Sequence, residues 1–490
     1  MEENNRQNNA GETRDQEFLR HCEIRNGRLI RYYGKKSVIV IPDHVTDVAE
    51  EAFRGNSYLT RVVLGPRVVT IAPRAFQDCV NLQQVTFPSG LKQIGAQAFE
   101  GCSSMTALLL PRTVTELNDE CFRRCTALRH IVLPSSINHI GRYAFAECES
   151  MEELVLPENI TALHRCTFLN CRSLKTVNIP ENVRTMGRYL FAGCMALREL
   201  HIPDTVTYIG IGAFSECHSL TYLHLPRSIR FVGDYTFSCC ENLEKVDLPE
   251  HLHYIGNAAF CGCKKLRELP LSESLERIGH SAFLGCMSIK EFTVHEGVQD
   301  IARAAFAHCT ALEKITIHAP LSELEEEMFS HCFSLREIEL PDSIQKIEED
   351  AFLNCIALTK IALPKQLTSV EARAFRGCTA LEGLSFPETL KKIGKRIFAE
   401  CSSLKTVIFP NRRVAFDRGV FEDCPALETV VLPDARVSLG RRRAKLGLDA
   451  EVQILCHADL QEAKGLVEEA LRAPTEPDEP TEGTEADKDE

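Results

Sequence analysis

The chain has 490 residues, 44% of them hydrophobic and 26% charged, and a formal net charge of −13. That length suits several domains or one repeat array, and the acidic balance excludes a general nucleic-acid binder, which carries a basic face. Residues 473–490 hold eight acids against one base, a net of −7, so the remainder is only mildly acidic at −6.

Residues 1–16 are polar and are expected to be disordered. The opening stretch lacks the apolar core of a signal peptide, and no run approaches the ~18 apolar residues of a membrane helix. No lipidation, sorting or anchoring motif is visible at either end. The expectation is a cytoplasmic chain with no membrane insertion. Residues 17–37 read as an N-terminal cap, in which Asn26-Gly27 between apolar-containing runs predicts a two-residue hairpin turn. The segment VIVIP at 38–42 then supplies the first strand.

From Phe53 to Phe421 a phenylalanine recurs every 23 residues, seventeen in all, with no insertion. A fixed period without drift means that each unit fills the same volume and stacks on the last. With Phe as position 0, position +3 is Cys in sixteen units, and only Asn56 departs. Phe76, Phe99, Phe145, Phe214, Phe283 and Phe352, with Cys79, Cys102, Cys148 and Cys217, are the expected core. Positions +9 and +11 are mostly aliphatic, as in Val85, or Phe, as in Phe87; this alternation is the period of a short strand with one face buried. Proline at +12, as in Pro88, ends that strand because it cannot donate to a ladder. A second short extended stretch is expected around +18. Glycine at +19, as in Gly95, Gly141 and Gly210, predicts a positive-φ corner.

The segment L-x-x-V-x-L at +6 to +11, followed by P-x-x-[VLI]-x-x-I-G-x-x-A-F-x-x-C, resembles the BspA-like (Treponema-type) leucine-rich repeats over roughly residues 30–440. The fold class expected is a repeat solenoid: a β-rich leucine-rich-repeat superhelix of about 17 coils, covering 38–440, with a short C-terminal helix. The resemblance implies a curved solenoid, recognition of other macromolecules, and often a bacterial cell-surface setting.

The array ends where Ala444 replaces the next phenylalanine. Residues 441–473 read as a C-terminal cap. Within it 457–473 looks helical, with Asp459 and Glu462 at capping-box spacing and Leu460, Val467 and Leu471 able to share a face. The basic run GRRRAKLG at 440–447 reads as a solvated part of this cap, and residues 474–490 as a disordered acidic tail.

Sixteen cysteines in one column would each have identical neighbours above and below, which specifies no unique disulfide pairing. They read as buried free thiols in a reducing compartment. Cys239 and Cys261 share a corner in adjacent coils and are the only candidates for a thiol or metal pair. His295 and His318 share +12, His308 and His331 share +2, and the two pairs are not expected to converge on one ion. No phosphate loop, nucleophile elbow or zinc-protease helix is present, so no catalytic residue, metal or cofactor is expected.

If +9 and +11 point inward, +8 and +10 point outward on the sheet, which the resemblance implies is the concave face. The outward columns carry Val63, Leu109, Val132 and Val155, then Glu199, His201, Tyr222, His224, Lys245 and Asp247. These are the candidate partner-binding residues, apolar in the first third and polar or aromatic in the middle. Pro270 inside a strand, with His295 and His318 in place of the +12 proline, predicts a sheet defect across 266–321. The function expected is a non-catalytic scaffold that binds a protein partner on the sheet face. The alternatives are a cell-surface or secreted adhesin, and a thiol or metal regulatory protein using Cys239 and Cys261.

Overall fold

The computed structural model describes residues 16–411, 413–432 and 439–455. The expected helix at 457–473, Cys456, the acidic tail and nearly all of the expected disordered N-terminus lie outside them. Strands Cys22–Arg25 and Arg28–Tyr32 pair antiparallel around Asn26 and Gly27, whose φ values of 50° and 76° make the expected tight turn. Phe18 stacks on Tyr32 at 5.4 Å and Tyr32 meets Phe53 at 5.3 Å, so the cap starts the aromatic column that the repeat continues.

Beyond the cap, the 23-residue coils lay their strands in two parallel rows. One row consists of strands at +8 to +10, such as Arg61–Val63, Gln84–Thr86 and Tyr222–His224. The other consists of two-residue strands near +18, such as Thr70–Ile71 and Gln93–Ile94. Partners are one period apart, as in Val62 with Val85 and Ile71 with Ile94. Between the rows runs the core. Phe76, Phe99, Phe145, Phe214, Phe283 and Phe352 are fully buried. Consecutive Phe rings from Phe53 to Phe421 stack nearly parallel, with centroids from 4.7 Å (Phe53–Phe76) to 6.1 Å (Phe145–Phe168) apart.

The phenylalanine corner is built differently from the sequence expectation. Gly95, Gly141 and Gly210 at +19 do not have positive φ. They are glycine because the coils approach closely there: a Cβ on Gly210 would lie 2.5 Å from Arg188 N and 2.6 Å from Gly187 C. The left-handed residues are instead those two before and two after each phenylalanine. In all seventeen coils both are positive, for example Arg74 (56°) and Asp78 (57°) around Phe76. A non-glycine residue there costs roughly 1 kcal/mol. The return is directional, because the amides at −2, 0 and +2 all point along the stack. Arg74 donates to Ala96 O at 3.0 Å, Phe76 to Ala98 O at 2.8 Å and Asp78 to Glu100 O at 2.7 Å.

The cysteine column completes this corner. Every described cysteine is free, and the thiols of Cys79, Cys102, Cys148 and Cys217 are fully buried. Each column thiol donates to the phenylalanine carbonyl one coil back, as Cys102 does to Phe76 O at 3.2 Å and Cys217 to Phe191 O at 3.2 Å. That carbonyl also accepts the amide of its own coil's cysteine (Cys79 N to Phe76 O, 3.2 Å), so both lone pairs are used. The column is therefore a row of weak donors as well as small apolar groups.

The expected defect across 266–321 is confined to one coil. At Pro270 the strand shrinks to a single bridge between Lys245 and Glu268. The next two strands, Glu291–Val294 and Lys314–Ile317, are longer than their neighbours. Replacing the +12 proline restores a donor: His318 N bonds Val294 O at 2.8 Å, and the ladder runs one residue further. The row also breaks at 199–201 and 360–362, where no proline interrupts.

At the C-terminal end the stack continues through helix Leu439–Leu446 and strand Gln453–Leu455, which pairs with Thr429–Val431. The helix falls on the basic run that the sequence leaves non-helical. It occupies the phenylalanine corner, where Gly419 and Phe421 donate to Lys445 O and Leu446 O. Arg443 is spent on cap carbonyls, bonding Asp449 O and Val452 O at 2.7 Å each.

Candidate protein-binding face

The outward sides of the +8 to +10 strands form one long surface. Inward residues such as Val62, Leu108 and Leu223 are fully buried, while their flanking residues face solvent. Leu109, Val132 and Val155 on three successive coils are 68%, 59% and 75% exposed. Leu109 and Val132 are direct cross-strand partners. Val63 is half-buried, and its partner Val40 extends the apolar row toward the cap, with Val38 beside it. Val38 and Val40 are absent from the sequence reading; carrying the columns back one period before Phe53 would have found them.

The polar half is more organised than its residue types suggest. Tyr222 and His224 on one strand stand opposite Lys245 and Asp247 on the next. Asp247 accepts the Tyr222 hydroxyl, pairs with Lys245 Nζ at 2.9 Å and lies 3.7 Å from His224 Nδ1. Lys245 Nζ also sits 5.9 Å from the centre of the Tyr222 ring. The Tyr222 hydrogen bond and then Lys245 hold the Asp247 carboxyl below the usual carboxylate range. The same bond raises the Tyr222 hydroxyl, and Asp247 raises Lys245. These four residues form one charge-paired cluster. Glu199 and His201 are exposed on the preceding coil, in one of the gaps of the strand row.

Past the cluster, at the coil broken by Pro270, an open depression of about 730 Å³ is lined by Arg267, Glu268, Met287, Ser288, Lys290 and Glu291. Among the described residues no group of three or more His, Cys, Asp or Glu side chains could hold a metal ion. His308 and His331 do meet, with rings stacked at 4.5 Å, but His331 is engaged by Ser330 and Asn354. His295 Nε2 lies 2.7 Å from Ser272 O and Nδ1 accepts Gly297 N at 3.1 Å, which ties the ring into its own turn. Burial pushes the Cys261 thiol up, which is the opposite of an activated thiol. No helix among the described residues is long and apolar enough to cross a membrane.

The sequence profile of the BspA type leucine rich repeat region matches six overlapping stretches, 31–152, 92–217, 138–265, 185–313, 231–357 and 300–428. No curated protein matches the chain. Among solved structures, a leucine-rich repeat protein from Bacteroides ovatus is 23% identical, with a TM-score of 0.53 over 88% of this chain and 94% of that one; it has the same fold. The leucine rich repeat protein of T. pallidum is 30% identical over 39% of this chain and 82% of its own, with a TM-score of 0.31. The pneumococcal vaccine antigen PcpA is 18% identical over 70% and 86%, with a TM-score of 0.41.

Proposed function

The chain belongs to the BspA type leucine-rich repeat family, and we propose that it is a non-catalytic scaffold that binds a protein partner on the outward face of its sheet. The observation that supports this most is the row Leu109, Val132 and Val155, three large apolar side chains exposed on consecutive coils. Strands about 4.8 Å apart put them within one contiguous patch, which a monomer seldom leaves bare without a use. The charge-paired cluster at Tyr222, Lys245 and Asp247 lies on the same face. It gives the patch a polar boundary that fixes register, as rim groups do in protein interfaces. The free thiol column favours a reducing compartment, so the proposed location is the cytoplasm.

The test is affinity capture with the full chain as bait, beside a variant carrying Leu109→Ser, Val132→Ser and Val155→Ser. These side chains touch solvent, so the thermal unfolding of the variant should match the parent. A partner retained by the parent should bind the variant at least about tenfold more weakly, on the order of 1.4 kcal/mol. Equal affinity would remove the face from the reading.

A further inference from the structure

The N-terminal cap closes only one of the two strand rows. Its hairpin pairs with the row of two-residue strands, through Arg28 with Asp47 and Leu29 with Val48. The other row begins at strand Val38–Val40, which pairs with Arg61–Val63 on one side and with no described strand on the other. Ser37 O accepts Arg61 N–H at 3.0 Å, and Ile41 N–H donates to Val63 O at 2.9 Å. Alternate residues of a parallel strand bond to opposite sides, so Val38 and Val40 turn their N–H and C=O groups away from the stack. Among the described residues no group bonds them. A recess of about 320 Å³ opens beside this edge, lined by Phe18, His21, Tyr32 and Ile39. It lies where a preceding coil would set its inward aliphatic residue: Val62 has Ile39 before it and Val85 after it, whereas Ile39 has only Val62.

The cap is charged oppositely to the chain. Residues 17–36 hold six bases and two acids, a net of +4, against −13 for the whole. Glu23 holds Arg25 and Glu17 holds Lys36, and no carboxylate of the described residues pairs with Arg20, Arg28, Arg31 or Lys35. Arg31, Lys35 and Arg54 line a second recess, of about 380 Å³, with Tyr33 and Tyr58. It sits at the head of the edge strand, since Thr60 N–H, two residues past Tyr58, bonds Ser37 O at 2.7 Å.

We propose that the edge at Val38–Val40 is a docking site for an extended acidic peptide of another protein, added to the row as one more strand. Its backbone pairs with Val38 and Val40, an aliphatic side chain fills the recess over Ile39, and its carboxylates meet Arg31 and Lys35. Charge complementarity selects this occupant. A nucleic acid brings the negative charge but no alternating N–H and C=O groups for the edge. A second copy would offer its own edge strand Gln453–Leu455, on a last coil whose helix carries Arg443 and Lys445 in its final turn and no acid in its first, which sets like charge against like. The edge lies in the plane of the sheet, so its use does not depend on what the outward face binds.

The experiment titrates the full chain with a short labelled peptide that alternates valine and glutamate, read by fluorescence anisotropy and by residue-resolved hydrogen exchange. Binding should slow exchange at the Val38 and Val40 amides at least about tenfold. The same peptide with every amide N-methylated keeps its charge and loses its donors, and should bind at least about tenfold more weakly; so should a valine–lysine peptide. On the chain, Val40→Pro removes one outward N–H without touching the ladder, whereas Val40→Ala keeps it, so the proline variant should bind at least about tenfold more weakly than the alanine one. Absence of binding, equal binding of the N-methylated peptide, or unchanged exchange at Val38 and Val40 would overturn the proposal. Concentration-dependent dimers that protect these amides without peptide would also overturn it, by giving the edge to a second copy. If thermal unfolding shows that Val40→Pro does not fold, the peptide series on the parent chain decides.

Discussion

The glycine column offers a sharp test of how the coils are spaced, because two neighbouring members differ in how closely the previous coil approaches. Gly210 and Gly233 both stand at +19, and neither has positive φ. A Cβ on Gly210 would meet three backbone atoms of the previous coil at 2.5 to 2.7 Å. On Gly233 the nearest atom would be Thr236 Oγ1 at 3.5 Å, an ordinary contact. Relieving the first clash needs the coils to part locally by about 0.8 Å to reach van der Waals separation. Gly210 N bonds Met186 O at 2.9 Å, so that bond would be lost. Gly210→Ala should therefore cost about 1 kcal/mol for the hydrogen bond and 1–3 kcal/mol for overpacking. Gly233→Ala should be neutral or stabilise by about 0.4–1 kcal/mol, because alanine fits the backbone and has less freedom when unfolded. Urea unfolding of the full-length variants gives the two free energies, and hydrogen exchange at Thr207 and Gly210 localises the damage. A repeat array need not unfold in one step, so the exchange data carry the comparison. Equal destabilisation by the two changes would refute the close-approach account and restore a backbone corner that needs glycine.

Thiol labelling of the native chain, mapped by peptide, should be confined among the described cysteines to the half-exposed Cys22, Cys239 and Cys261. Burial pushes the Cys79, Cys125 and Cys378 thiols up to about 12, so the column should stay unmodified even at pH 9, and labelling of the column before unfolding would contradict the packing. His331 is lowered from its ordinary value by burial first and by His308 second, against smaller opposing effects of Asp350 and Glu327. The folded state therefore binds its proton less readily than the unfolded chain, and stability present above the unfolded pKa near 6.5 should fall as the pH drops through it. His331→Gln should flatten urea midpoints between pH 7 and 5; an unchanged slope would show that His331 titrates freely.

Much of this fold is legible in the sequence because translation along the stack turns each column into a row. Phe53 to Phe421 and Cys79 to Cys424 could be placed from the period alone, and Asn26-Gly27 from turn chemistry. What the period hides is the distance between coils. Gly210 and a true corner glycine look alike in sequence, and only the position of Arg188 separates them. The left-handed residues were missed for a related reason. Ten of the seventeen +2 positions are Gly, Asn or Asp, a readable signal, but the −2 column is mostly Glu, Arg, Tyr and Ala, with Gly only at 212 and 419, and those residue types do not announce positive φ. His318 misled in the opposite sense, since losing a proline there lengthened the strand.

The binding face is harder to read because its residues escape the repeat. Inward columns are held to one chemistry by the core, whereas +8 and +10 range from Val155 through His201 to Glu339. Tyr222, His224, Lys245 and Asp247 could be named individually, yet their convergence on one carboxylate needed two strands in register. The same limit governs the far end. Ile408 and Val155 are alike in chemistry and column, and one is fully buried while the other is three-quarters exposed. No periodic rule distinguishes them.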